Sequence, residues 1–177
     1  GGTITGKVVD EFGVGIATAM VRTWDSSTSG YIIAYTMGGP ARGNFSLSVT
    51  ADGDYVIEFV PPGGMPYLIG RSLEQNISGG ATTALGNITL STGGIITGTV
   101  TSEATPLEGV EVEIWTEAEE LWGSVDTNAS GTFTTAAMPA GSYKVSYVPQ
   151  FPVLGEWYNG ASSFATATTV VVTAGAT

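Results

Sequence analysis

The chain repeats itself. Thr5-Gly6-Lys7-Val8 returns as Thr97-Gly98-Thr99-Val100, and Ile16 to Trp24 (IATAMVRTW) returns as Leu107 to Trp115 (LEGVEVEIW). Gly43-Asn44-Phe45 matches Gly131-Thr132-Phe133, Gly53-Asp54-Tyr55 matches Gly141-Ser142-Tyr143, and Val60-Pro61 matches Val148-Pro149. Asn87-Ile88-Thr89-Leu90 aligns with Thr169-Val170-Val171-Val172 as the last shared segment. Features that recur in one order mean one structural unit used twice. The expected domains are residues 1–93 and 94–177, meeting at Gly93-Gly94 without a linker. Each is somewhat under ~100 residues, long enough to bury a modest core of its own.

The local pattern is that of β-strands. Runs rich in β-branched and aromatic residues alternate with polar ones and are broken by Gly, Pro, Asn and Asp. Strands are predicted near Ile4–Val9, Ala19–Trp24, Ile32–Thr36, Asn44–Val49, Asp54–Val60 and Leu85–Leu90 in repeat one. Repeat two has them near Ile96–Thr101, Val110–Trp115, Leu121–Val125, Thr132–Ala136, Ser142–Val148 and Thr169–Val172. Glu117 to Leu121 is the one helix-like stretch, and it is too short to stand alone. The fold class is therefore all-β, as two tandem small β-sandwiches of Ig or transthyretin-like type.

Composition then removes several functions. The 177 residues contain no histidine and no cysteine, so the usual zinc, haem and iron–sulfur ligands and the Ser–His and Cys–His pairs are missing. The net charge of −11 opposes binding to nucleic-acid phosphates, which calls for Lys and Arg. No apolar run approaches the ~18 residues needed to span a bilayer as a helix. An enzyme is not expected.

The second repeat carries a recognisable signature: Gly98-Thr99-Val100, Pro106-Leu107-Glu108-Gly109-Val110-Glu111-Val112, Gly131-Thr132-Phe133 and Met138-Pro139-Ala140-Gly141-Ser142-Tyr143-Lys144-Val145. It resembles the carboxypeptidase regulatory-like domain, a transthyretin-like β-sandwich found in bacterial and archaeal surface proteins. Thr127-Asn128 stands where that pattern has Thr-Asp. Repeat one departs further, with Val14-Gly15-Ile16-Ala17 in place of P-L-x-G and Thr50-Ala51-Asp52-Gly53 in place of L-P-A-G. The resemblance implies accessory work: spacing, adhesion or stabilisation beside other domains. Gly53 and Gly141 fit a tight turn, after which Tyr55 and Tyr143 are expected to point inward.

The candidate sites are few. Four of the five asparagines, Asn44, Asn76, Asn87 and Asn128, open N-x-S/T sequons, the acceptor pattern for N-glycans on an extracytoplasmic protein. Strand parity places Trp24 and Trp115 on the face away from the core, where an indole can stack on a sugar or enter a subunit contact. Trp157, with Tyr158 beside the Pro149–Pro152 loop, is a further candidate, although packing against the sheet is the plainer expectation for it. Repeat two holds 9 acidic and 1 basic side chains against 7 and 4 in repeat one. Glu117, Glu119 and Glu120, Asp126 with Asn128, or Asp52 with Asp54 form a weak calcium candidate without EF-hand spacing. Otherwise no cofactor is expected. Glu58-Phe59-Val60-Pro61-Pro62, Lys7 and Asn87 resemble the parts of an internal isopeptide bond, but alternation turns Lys7 and Glu58 outward, away from the burial that reaction needs.

Tandem sandwiches, sequons and the missing catalytic residues point to an extracellular or cell-surface structural or adhesive protein, a subunit of a fibre, filament or layer. Its expected partners are further copies of itself, other surface proteins and glycans. The head Gly1–Val9 or the tail Thr169–Thr177 is the segment expected to add to a neighbour's open sheet edge. The alternative reading is a carbohydrate-binding or spacer module of a larger secreted protein.

Overall fold

The computed structural model describes residues 1–150 and 154–177. The chain forms two compact units, Gly1–Thr92 and Gly93–Thr177, and each is all-β, with short 3-10 turns at Gly39–Ala41 and Phe164–Thr166 as the helical pieces among the described residues.

Unit 1 contains β1 (Gly2–Val9), β2 (Met20–Asp25), β3 (Gly30–Tyr35), β4 (Asn44–Val49), β5 (Gly53–Tyr55), β6 (Ile57–Val60), β7 (Gly70–Arg71), β8 (Gln75–Ile77) and β9 (Thr82–Thr89). One sheet has the order β4-β1-β9, the other β3-β2-β6-β7, and β5 pairs with β8. β1 is therefore a central strand, antiparallel to β4 and parallel to β9. Period-2 alternation sends Phe45, Leu47 and Val49 of β4 inward and leaves Asn44, Ser46 and Ser48 outside. Ile4, Val8, Val21, Leu47, Ile57 and Phe59 are buried between the sheets. The Phe45 and Phe59 rings meet there with centroids 5.6 Å apart.

Unit 2 contains β10 (Thr97–Thr99), β11 (Thr101–Ser102), β12 (Thr105–Pro106), β13 (Glu111–Thr116), β14 (Leu121–Asp126), β15 (Thr132–Thr134), β16 (Gly141–Val148), β17 (Glu156–Trp157) and β18 (Val170–Val172). Its main sheet runs β14-β13-β16, with β17 and β18 both paired to β16, and β10 pairs with β15. Val112, Ile114, Phe133, Met138 and Val145 form its core.

Several strand pairings recur between the two units. Glu58↔Arg71 in β6–β7 has its counterpart in Ser146↔Trp157 of β16–β17, and Gly53↔Ile77 in β5–β8 has its counterpart in Gly141↔Val172 of β16–β18. This corrects the alignment of the last segment. Val170–Val172 occupies the place of Gln75–Ile77, not that of Asn87–Leu90. Two features hold the repeat in common. In each unit a glycine of the first strand lies under an aromatic ring: a Cβ on Gly6 would stand 2.9 Å from the Phe45 ring, and one on Gly98 would stand 2.7 Å from Phe133. In each unit a buried threonine also ties the first loop to the second hairpin. The Thr36 hydroxyl donates to the Ile16 carbonyl (2.6 Å) and accepts from the Ala19 amide (2.9 Å). The Thr127 hydroxyl does the same with Leu107 (2.6 Å) and Val110 (3.0 Å).

The inward tyrosines are where parity puts them. Tyr55 and Tyr143 are buried, and their hydroxyls donate to the Ala51 and Pro139 carbonyls at 3.0 and 2.9 Å. Glu117 to Leu121 is the turn between β13 and β14, closed by the Thr116 amide on the Glu120 carbonyl. The predicted Asp54–Val60 strand is split at Val56 into β5 and β6, whereas β16 runs unbroken through the same place. Thr36→Val strands the buried Ala19 amide and Ile16 carbonyl, and Thr127→Val strands the buried Val110 amide and the half-buried Leu107 carbonyl. Each is expected to destabilise its own unit by about 1–3 kcal/mol, read as a shift of one of two transitions in denaturant unfolding followed by residue-resolved probes.

Candidate functional site

The outer face of the β3-β2-β6-β7 sheet is the richest surface of unit 1. β2 turns Met20, Arg22 and Trp24 outward, and β3 turns Tyr31, Ile33 and Tyr35 outward beside them, in the register Met20↔Tyr35, Arg22↔Ile33 and Trp24↔Tyr31. Trp24 is 52% exposed and Tyr35 is 59% exposed, with Tyr31 and Ile33 about as open. The Trp24 and Tyr31 rings meet edge to face at 5.2 Å, and the Arg22 guanidinium lies 4.5 Å from the centre of the Tyr31 ring. Arg22 Nε donates to Glu58 Oε2 at 2.8 Å, and Arg71 reaches the other carboxylate oxygen at 2.6 Å. An apolar aromatic strip thus borders a charged row. Its outer strand, β3, ends the sheet, with no strand paired to its second edge among the described residues.

The same face of unit 2 is arranged differently. Trp115 holds the position of Trp24, but β17 and the Phe164 turn cover it. Its ring lies 6.1 Å from Trp157, which in turn meets Phe164 edge to face at 5.4 Å. Trp115 Nε1 donates to Glu113 Oε2 and to Ser146 Oγ, each at 3.1 Å, and Ser146 Oγ donates to Glu113 Oε2 at 2.8 Å. The Lys144 ammonium donates to the Phe164 carbonyl at 2.8 Å and sits 4.3 Å from that ring's centre. Trp115 and Trp157 are therefore half-buried packing residues, and Trp24 is the open one of the three candidates. The Pro149–Pro152 loop named beside Trp157 lies partly outside the described residues.

The four sequon asparagines are all exposed. Asn44 opens β4 and Asn87 lies in β9, both in register with Lys7. Asn76 Nδ2, the atom a glycan would take, donates to Asp54 Oδ1 at 2.7 Å. Asn128 Oδ1 closes its turn by accepting from the Ser130 and Thr132 amides and the Thr132 hydroxyl. Lys7 and Asn87 lie in the β4-β1-β9 sheet, while Glu58 lies in the opposite sheet on its two arginines, so the isopeptide triad is not brought together. Among the described residues no three His, Cys, Asp or Glu side chains gather as metal ligands. The acidic candidates serve locally instead: Glu117 accepts from Thr169, and Asp52 pairs with the Gly1 amino group. That contact holds the Asp52 carboxyl below its usual range, as hydrogen bonds from Ser27 do for Asp25. Among the described residues no helix is long and apolar enough to cross a membrane.

Sequence reading missed Tyr31 and Tyr35. The signal was present in Tyr31-Ile32-Ile33-Ala34-Tyr35, where strict alternation puts two tyrosines and an isoleucine on one face.

The chain matches no protein-family model and no curated protein. Among solved structures it is similar to the Bacillus anthracis TIE protein, at 16% identity and a TM-score of 0.41, over 98% of this chain and 31% of that one. It is similar to a streptococcal ancillary pilin at 12% identity and a TM-score of 0.44, over 94% of this chain and 60% of that one. A minor pilin of Streptococcus agalactiae aligns at 11% identity and a TM-score of 0.38, over 99% and 92% of the two chains. The chain thus spans less than two thirds of the first two proteins. The β-sandwich assignment rests on the strand pairings above.

Burial pushes the Tyr147 phenol up to about 12, with Tyr158 and Glu156 adding to the shift, and raises Tyr55 and Tyr143 as well. The folded state therefore favours the neutral phenol. Its contribution is full below the ordinary value of 10.0 and is lost as pH rises through about 12. Ultraviolet titration is expected to show a late-ionising tyrosine in unit 2, and Tyr147→Phe is expected to remove the latest step.

Proposed function

We propose that the chain is an extracellular structural or adhesive protein, a subunit of a surface fibre, filament or layer, with non-catalytic β-sandwich units of carboxypeptidase regulatory-like type. The observation that carries this reading is the exposed outer face of β2 and β3, with Trp24, Tyr31, Ile33 and Tyr35 beside the unpaired edge of β3. Soluble monomers normally protect sheet edges with charge, proline or a covering segment. Here the edge is flanked by large apolar rings, as in a surface meant to be covered. Full burial of such a side chain is worth roughly 1.5–3 kcal/mol. Four half-open ones therefore supply several kcal/mol, and backbone pairing along β3 supplies direction. The motif Pro106-Leu107-Glu108-Gly109-Val110 through Gly141-Ser142-Tyr143 supports the family reading, and the four exposed sequon asparagines support a glycosylated surface location.

A second reading is favoured by one feature. Trp24 against Tyr31, with Arg22 and Glu58 alongside, is a ring platform with hydrogen-bonding groups at its rim, the arrangement that binds a sugar face. Electron microscopy of the protein from its native source separates the two. Filaments or sheets are expected, and Tyr31→Glu with Tyr35→Glu is expected to leave dispersed particles with unchanged circular dichroism. Dispersed wild-type particles whose tryptophan fluorescence is quenched by glycans would replace the assembly reading with the sugar-binding one.

A further inference from the structure

The edge strand β3 reads alike in both directions. Tyr31-Ile32-Ile33-Ala34-Tyr35 is Tyr-x-Ile-x-Tyr from either end, with Ile33 at its centre. Alternation puts Tyr31, Ile33 and Tyr35 on the outer face and Ile32 and Ala34 on the inner one, where both pack on the core of unit 1. The stretch from Ser26 to Ala41 has no charged side chain, in a chain whose net charge is −11. A lysine, a proline or a bulge usually guards a sheet edge. β3 has none of them, and its register with β2 is unbroken from Met20↔Tyr35 to Asp25↔Gly30.

Backbone direction completes the match. Thr36 N donates to Ala19 O at 2.9 Å and Thr36 O accepts from Thr18 N at 3.0 Å, so Thr36 faces β2. Successive residues of a strand point their backbone groups to opposite sides. Ala34 and Ile32 therefore also face β2, and the amides and carbonyls of Tyr31, Ile33 and Tyr35 face the other edge. Among the described residues no strand pairs with that edge. The equivalent strand of unit 2 lacks these properties. β14, Leu121-Trp122-Gly123-Ser124-Val125-Asp126, has no such symmetry, follows Glu119-Glu120 and ends on an aspartate, and its register with β13 shifts between Ile114 and Trp115.

We propose that β3 is a self-pairing edge: β3 of a second copy of this chain lies antiparallel against it, with the two Ile33 residues opposite each other on a two-fold axis. This rests on the assembly reading of the same face and names the partner that covers it. A two-fold contact needs a surface complementary to itself, and a palindromic strand is one. With Ile33 opposite Ile33, Tyr31 of each copy falls opposite Tyr35 of the other, and Ile32 falls opposite Ala34. Every edge-facing amide and carbonyl of Tyr31, Ile33 and Tyr35 then has a partner. The facing side chains are aromatic or aliphatic, and no like charges stand opposite each other. Because Trp24 lies beside Tyr31 and Met20 beside Tyr35 in each copy, the two outer faces join into one apolar strip. A two-fold contact joins two copies and stops, so it makes the pair from which a longer assembly is built through other contacts. Gly2–Val9 of the head and Val170–Val172 of the tail are not free to add to a neighbour's edge, a correction to the sequence expectation. The first is β1, paired on both edges, and the second is β18, paired to β16.

Sedimentation of the 177-residue protein is expected to show a dimer that dissociates on dilution. Ile33→Asp, which sets two carboxylates face to face, is expected to be monomeric with unchanged circular dichroism. Introduced cysteines read the register, since the chain has none of its own. Residues facing each other in such a hydrogen-bonded pair have Cα atoms about 5.5 Å apart, within the roughly 4.4–6.8 Å that a disulfide spans. With diamide as oxidant, Ile33→Cys is expected to cross-link to itself. Tyr31→Cys and Tyr35→Cys are each expected to stay single alone and to join when mixed. Should Ile33→Asp not fold, these cysteine variants decide alone. A wild-type protein monomeric at every concentration, a dimer unchanged by a folded Ile33→Asp, or mixed Tyr31→Cys and Tyr35→Cys that do not join would overturn the pair. Contact of β3 with a different strand of the next copy would leave Ile33→Cys uncross-linked and overturn it likewise. Filaments formed by Ile33→Asp would overturn the pair as a junction and leave the fibre reading standing, whereas wild-type dimers that never extend would keep the pair and remove the fibre reading.

Discussion

A strand inside a sheet has two rows of backbone amides and carbonyls, and both must be paired or wetted. The first strand of each repeat is built for the inside. It carries a glycine that lets an aromatic ring lie flat on its backbone, Gly6 under Phe45 and Gly98 under Phe133, and it alternates core and outer side chains on either side of that glycine. In unit 1 both edges are satisfied, by β4 and β9, and the residues of β1 are buried to match. In unit 2 one edge is satisfied by β15. The half-buried Ile96 and Val100 follow from that difference.

The outer sheet faces divide the labour in the opposite sense. Unit 1 leaves its outer face open, with Trp24, Tyr31, Ile33 and Tyr35 beside the unpaired edge of β3. Unit 2 covers its outer face with Trp157 and Phe164, anchored by Lys144, and among its described residues β10 is paired on one edge. Equivalent positions thus carry different chemistry. The row Arg22-Glu58-Arg71 is an ion-pair ladder in unit 1, and at the same positions of unit 2 Ser146 donates to Glu113 while the Trp157 ring packs at a tilt on Trp115.

Much of this was legible in the sequence. Asn44–Val49 reads out its strand by alternation alone, and the repeat gave the pairing of Tyr55 with Tyr143 before any contact was known. What escaped reading had physical reasons. β7 and β17 are two residues long, too short to show a period, and exist because a neighbouring strand holds them. Trp115 looked like Trp24 because parity fixes the face a side chain leaves from, but not what folds over it. The last segment misaligned because Val170–Val172 matches Asn87–Leu90 in composition. The turn Thr173-Ala174-Gly175-Ala176, set against Ser78-Gly79-Gly80-Ala81, was the better guide.

Amide hydrogen exchange reads the central difference directly. Strand amides alternate in direction, and Val100 N bonds Gly131 O on the β15 side, so the Thr97 and Thr99 amides face the unpaired edge. Their counterparts Thr5 and Lys7 face β9. In the dispersed protein Thr97 and Thr99 are expected to exchange fast while Thr5 and Lys7 exchange only with global opening of unit 1. Equal protection of both pairs in the dispersed protein would contradict the account.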